Sequence, residues 1–268
     1  NFFFFFHMTQ AEWMMLWLCA VAALLHGLSG FGFPMMSTAV LSSAYPLSIA
    51  VTLVILPCLL LNLIMLNADP VHSMLNSIGY YIKRYWPLIL SSLIGSVLGV
   101  KLLLWLNEAY LKLLLGLVIV FYVLDQLRAR PLQVSPHISS MLCFGLLAGI
   151  IGGATNAMAP FLMMYLMSCQ LSKTDIVIIS NLNFIAGKLI QLVLLFPILI
   201  TLETHQQHIL IGISLFALAG VWIGGKIRHR LSQQHFKWIV LALLFGLGLY
   251  ALWQSTGLLQ QSGYSIFK

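Results

Sequence analysis

The sequence predicts an all-α polytopic membrane protein built from two inverted structural repeats, each a re-entrant or broken helix hairpin plus three transmembrane helices. Three observations lead there. Charges are too few for a water-exposed surface, six apolar stretches are long enough to span a bilayer, and two further apolar regions are interrupted by glycine and proline in a recurring pattern. Of the 268 residues, 61% are hydrophobic and 7% charged, whereas a soluble domain carries about 25% charged residues. That balance excludes a soluble enzyme, a nucleic-acid-binding domain and a disordered protein. The net charge of +7 fits membrane topology better than nucleic acid, because the basic residues are scattered between apolar runs.

Residues 1–7 read Asn-Phe-Phe-Phe-Phe-Phe-His ahead of Met8 and are set aside as a cloning scar. The six long stretches run roughly over 47–66, 86–106, 109–127, 175–196, 209–225 and 238–253, each long enough to cross as a helix. The first interrupted region is a run over 14–25, then His26-Gly27-Leu28-Ser29-Gly30-Phe31-Gly32-Phe33-Pro34, then a short run over 35–41. The second is 141–151, then Gly152-Gly153-Ala154-Thr155-Asn156-Ala157-Met158-Ala159-Pro160, then 161–167. Apolar runs of about 10–14 residues suggest half-helices or re-entrant segments rather than full spans, and the glycines and prolines supply the breaks.

The pattern repeats. Gly95, Gly99 and Lys101 correspond to Gly220, Gly224 and Lys226 at an offset of 125, and Lys112 corresponds to Lys237 at the same offset. Pro34 corresponds to Pro160 at 126. The chain is therefore expected to be a duplication, with a first repeat over 8–127, a cytoplasmic linker over 128–137 and a second repeat over 138–262. Each G-x-x-x-G is read as a helix-packing face rather than a ligand site.

Charge placement chooses the orientation, because cytoplasmic loops are rich in Lys and Arg. If each broken region enters and leaves on one side, one face collects Lys83, Arg84, Arg128, Arg130, Lys173, Lys226, Arg228, Arg230 and Lys237. Only Lys101, Lys112 and Lys268 remain opposite. If each region crosses once, the bias disappears. Inverted repeats follow, with both termini on the non-cytoplasmic side.

Inverted repeats with broken helices are a recurring architecture of secondary transporters. Helix N-termini carry partial positive charge and free N–H groups. Two breaks meeting near the midplane would therefore form an anion site, with donors expected from Ser29, Gly30 and Gly32 and from Gly152, Gly153, Thr155 and Asn156. Lys188 sits inside a span, where a lysine costs roughly 2.5–3.5 kcal/mol on insertion scales, and no acidic residue lies within the spans to pair with it. It is read as the substrate-binding cation. His26, at the first break, is a candidate for anion binding or proton coupling. Asn181, Asn183 and Gln191 are neutral donors, and Asn62 aligns with Lys188 at an offset of 126. The four cysteines show no ligand spacing; no metal, cofactor or catalytic residue is expected.

These same residues resemble the sulfite exporter TauE/SafE family of membrane permeases. The resemblance rests on Gly27 to Pro34, on Gly149 to Ala154 with Pro160, and on Ser180-Asn181-Leu182-Asn183-Phe184. It implies a multi-pass protein of a bacterial inner membrane that exports a small sulfur-containing anion such as sulfite, sulfoacetate or another organosulfonate. Alternating access would be coupled to a proton or sodium ion. A passive anion channel and a non-transporting membrane scaffold are the competing readings. An intramembrane serine protease, which Gly27-Leu28-Ser29-Gly30 formally allows, lacks a second intramembrane histidine to serve as base.

Overall fold

The computed structural model describes residues 8–66, 74–128, 134–227 and 233–261. Residues 1–7, half of the 128–137 linker (129–133), Arg228, Arg230 and the last seven residues lie outside this set. The described chain is helical, with no strand. In the first half, α1 spans Gln10–Ser29, α2 Phe33–Leu41, α3 Leu47–Met65, α4 Met74–Trp105 and α5 Glu108–Leu127. In the second, α6 spans Ile138–Thr155, α7 Ala159–Ser168, α8 Lys173–Leu194, α9 Phe196–Ile200, α10 Thr204–Ile227 and α11 Gln233–Gln261.

All six long stretches appear as helices, most of them longer than their apolar cores. α4 begins twelve residues before its predicted start and bends at Tyr85, where φ is −113° and ψ 20°, two residues before Pro87. The interrupted regions correct the sequence expectation. Their long arms are helices of 20 and 18 residues, so eight described helices, not six, are long and apolar enough to cross a membrane. α1 does not stop at His26; it continues through Gly27 and Leu28 to Ser29. A glycine inside a helix costs only about 1 kcal/mol, whereas unpaired backbone in hydrocarbon costs several.

Both breaks use one device. α1 is capped by Gly30 at φ 85°, and α6 by Asn156 at φ 63°, the left-handed conformation that favours glycine and tolerates asparagine. Gly30 N–H donates to the His26 carbonyl at 2.7 Å, and Asn156 N–H to the Gly152 carbonyl at 2.9 Å. The chain turns, and α2 and α7 start with Pro34 and Pro160 in their first turns.

The halves interlock across four glycine contacts. A Cβ on Gly95 would lie 2.3 Å from the Leu146 carbonyl oxygen, and one on Gly99 2.1 Å from that of Ile150. α4 and α6 therefore touch backbone to backbone and run parallel. α10 meets α1 in the same way: a Cβ on Gly220 would lie 2.7 Å from the Ala20 carbonyl oxygen, and one on Gly224 2.3 Å from that of Leu24. The packing-face reading of both G-x-x-x-G motifs is thus what the backbone does.

Helix directions follow from such pairs. Tyr81 donates to Asp175, Ser92 donates to Asn183 at 2.9 Å, and Ser96 neighbours Gly187, so α8 also runs parallel to α4. Since α6 and α8 share one direction, residues 156–172, including α7, must carry the chain back between them. α5 and α11 are antiparallel: Ser255 donates to the Ala109 carbonyl, while Gly248 meets Ile119 and Val120. α3 is apolar over almost its whole length and buried on most sides, against α8 and α10.

Candidate functional site

The second break is where the polar side chains converge. α8 begins with a capping box of Ser172 and Asp175, which fixes its start and so the heights of the residues above. Lys188 and Gln191 follow one another at i, i+3 and face the end of α6. Lys188 is 5% exposed and Gln191 2%. The Lys188 ammonium donates to Asn156 Oδ1 and, at 2.6 Å, to Gln191 Oε1. Gln191 Nε2 in turn donates to Asn156 Oδ1 at 2.9 Å and to the carbonyls of Gly152 and Gly153 at 3.1 Å each. Those carbonyls belong to the last turn of α6, the negative end of its dipole.

Asn156 completes the knot. Its amide group donates to Thr38 Oγ1 on α2 at 2.7 Å and reaches the Val51 carbonyl on α3 at 3.5 Å. One asparagine thus joins the end of α6, α8, α2 and α3. Its left-handed backbone aims the side chain inward, a task few other residue types can share.

A small cavity lies against this knot. Gly152, Asn156, Gly187, Lys188 and Gln191 supply its polar wall, and Pro34, Met158 and Phe184 its apolar wall. Pro34 is in the first turn of α2 and Met158 caps α7, so both short arms present their N-termini to the cavity. The space open to a water-sized occupant is about 20 Å³, room for about one water molecule. An ammonium has three protons to donate. Two are used by Asn156 and Gln191, and no carboxylate pairs with Lys188 among the described residues. Among the described residues the site holds a buried lysine, neutral amide oxygens and one lysine donor without an acceptor, beside a void. Such an arrangement attracts an anion.

The structure sorts the sequence candidates. Gly152, Asn156, Lys188 and Gln191 line the cavity, and Gly153 supports it through its carbonyl. Gly152, Gly153 and Thr155 close the C-terminal turn of α6 and do not open a helix N-terminus as expected; the N–H donors belong to the arms that start at Phe33 and Ala159. Thr155 Oγ1 donates within its own helix, to Ile151 at 2.7 Å. Ser29 likewise sits at the end of α1 and donates to the carbonyls of Leu25 and Phe31. Gly30 accepts from Asn181 Nδ2 at 2.9 Å, and Gly32 is the left-handed residue ahead of α2. Asn183 faces α4. None of these lines the cavity.

His26 and Asn62 are fully buried, and among the described residues neither polar side-chain atom of either has a hydrogen-bond partner. The Asn181 carboxamide neighbours the His26 ring without a bond of sound geometry. Sequence reasoning missed Thr38, Pro34, Met158, Phe184 and Gly187. Pro34 and Met158 were legible as parts of the breaks, Phe184 as part of a motif and Gly187 as the neighbour of the in-span lysine, but none as cavity lining.

With that geometry in place, comparison with known families is informative. The family model for the sulfite exporter TauE/SafE matches residues 15–251. This chain belongs to the TauE/SafE family. No curated protein and no solved structure matches it. The match takes in both breaks, the Lys188 cluster and all eight long apolar helices except their outermost ends. TauE/SafE is a family of transporters, so the chain is a multi-pass membrane protein of a sulfite-exporter family rather than a member of an enzyme family.

Proposed function

We propose that this TauE/SafE protein exports a small sulfur-containing anion, such as sulfite, sulfoacetate or another organosulfonate, by alternating access around Lys188. The observation that carries the reading is the unspent third donor of a buried, carboxylate-free ammonium facing a cavity between two helix breaks. The α2 and α7 N-termini add partial positive charge on the same cavity.

Repeats over 8–127 and 138–262 are part of this reading, and their inversion is supported by the antiparallel mates α5 and α11. The shared direction of α6 and α8 supports a re-entrant second hairpin. Termini on the non-cytoplasmic side and an inner-membrane location complete it. A cavity the size of one water favours an occluded carrier over a standing pore: sulfite cannot enter until the walls part. His26 is the proposed coupling-proton residue, one turn before the left-handed cap at Gly30.

Counterflow in proteoliposomes tests the reading. Unlabelled sulfite trapped inside should drive transient accumulation of labelled sulfite by the wild type, whereas a channel dissipates the gradient without overshoot. Absence of overshoot with sulfite, sulfoacetate and other organosulfonates would overturn the carrier claim. A response restricted to carboxylates would retain an anion carrier and discard sulfur.

A further inference from the structure

Within α4, Ser96 is fully buried, and among the described residues its Oγ has no hydrogen-bond partner. A serine inside a helix commonly bonds a carbonyl one turn back. Ser91 and Ser92 do so, donating to Leu88 at 3.1 Å and Ile89 at 2.9 Å. The Ser96 oxygen is turned to α8 instead, where a Cβ on Gly187 would lie 3.2 Å from it.

Helix packing does not require a hydroxyl at this place. A Cβ on Gly153 would lie 2.5 Å from the Ser96 carbonyl oxygen, and a Cβ on Gly27 2.5 Å from that of Val221. Shifting Ser96 by 125 residues reaches Val221, so the other half makes the same backbone contact with an apolar side chain. Burying a hydroxyl that makes no bond is unfavourable, which leaves Ser96 in want of a role.

Ser96 borders the Lys188 cavity across a glycine notch. Gly187 lines that cavity beside Lys188, and the absent Cβ that faces Ser96 Oγ would also lie 3.2 Å from Met158 Cε. A Cβ on Gly152, another lining residue, would lie 3.3 Å from the same methyl group. The end of the Met158 side chain thus rests between two glycines and fills the space next to the hydroxyl. Methionine is unbranched, with three rotatable bonds, and repacks readily. Swinging it out would join the cavity of about 20 Å³ to the notch and uncover Ser96.

We propose that Ser96 is a substrate-binding residue held behind Met158. When the methionine swings away, the Ser96 hydroxyl donates to one oxygen of the bound anion while the free proton of Lys188 meets another. A sulfite ion or a sulfonate group presents three oxygens in a pyramid, so donors on two sides of Gly187 can each take one. This deepens the export reading and rests on it for the identity of the anion.

Two measurements test it. In sulfite counterflow, Ser96→Ala should raise KM about tenfold, the contribution of one hydrogen bond to an anion, with kcat little changed. Its ligand-free thermal midpoint should not fall, because the hydroxyl has no partner to lose. Ser91→Ala should keep the wild-type KM. In the second measurement, Ser96→Cys is compared with Ser96→Cys combined with Met158→Ala. Both are treated with the small anionic thiol reagent 2-sulfonatoethyl methanethiosulfonate, and modification at position 96 is read by peptide mass spectrometry. Removing the Met158 side chain should speed modification at least severalfold, and sulfoacetate should slow it. An unchanged KM in folded Ser96→Ala, a position 96 that stays unmodified after Met158→Ala, or modification that no anion slows overturns the role of Ser96 even where the wild type exports sulfite. Modification slowed by carboxylates and not by sulfoacetate keeps Ser96 in the site and discards the sulfur reading. Where the wild type shows no counterflow, or Ser96→Ala does not fold, the labelling decides alone.

Discussion

Shifting the second half by 126 residues lays Lys188 on Asn62, Asn156 on Gly30 and Gln191 on Met65. The backbone device is the same in both halves: a long helix capped by a left-handed residue, a tight turn, and a short helix with proline in its first turn. The chemistry is not. One break is tied by a lysine, two amides and a threonine contributed from three helices. The other has a glycine cap, a methionine where the glutamine would be, and an asparagine whose carboxamide meets no partner. A scaffold that uses one break device twice supplies shape twice but needs charge only once, because a second buried cation close by would repel the first. The geometry therefore comes from both halves and the electrostatics from one.

Removing the charge should have the largest effect. Lys188→Met keeps length and apolar bulk but deletes the ammonium. Hydrogen bonds involving charged groups contribute about 1.5–3 kcal/mol, so sulfite affinity should fall about 10- to 150-fold in proteoliposome transport or thermal-shift titration. A normal response would remove Lys188 from the site.

Converting the second break into the first is the next step. Asn156→Gly preserves the left-handed backbone and removes the contacts to Lys188, Gln191 and Thr38. The expected loss is about tenfold in affinity, from one or two hydrogen bonds of about 1 kcal/mol each. Helix content by circular dichroism should be unchanged; a collapse of the fold would make Asn156 structural instead.

The reciprocal position should respond in stability rather than transport. A Cβ on Gly30 would lie 2.6 Å from Val177 Cγ2, and a non-glycine residue in this conformation costs about 1–2 kcal/mol. Gly30→Ala should lower the thermal midpoint while the sulfite concentration for half-maximal stabilisation stays within about twofold, which is under 0.5 kcal/mol. A large affinity change without a change in midpoint would reverse the contrast.

The smallest effect is expected at Asn62. Replacing a buried group that has no partner by an apolar one of similar shape is close to neutral or stabilising. Asn62→Leu should therefore keep transport within about twofold and raise the thermal midpoint slightly. A loss comparable to that of Lys188→Met would show that both halves carry chemistry.

Much of this was legible beforehand, for identifiable reasons. Long apolar runs have one solution in lipid, so all six spans could be read directly. Lys188 stood out because its cost in hydrocarbon is high, and Asn156 and Gln191 because they flank it or a break. The helix ends were less legible. Glycine marks a turn in water, but in a bilayer the helix runs through Gly27 and Gly152 because leaving backbone unpaired costs more than the glycine does. That displacement turned the expected N-terminal donors Gly152 and Gly153 into C-terminal acceptors. Thr38 carried no signal, since its role exists only once α2 folds back beside the other half.

The Lys188–Asn156–Thr38 chain has one more consequence. In the proposed carrier an oxyanion would meet the third donor of an ammonium whose other two bonds run to Asn156 and Gln191, so its arrival would pull on the same group that braces Asn156 against Thr38. Loading and unlatching would then be one event, and a carrier wired this way would stay shut when empty and yield only to the passenger it was built to admit.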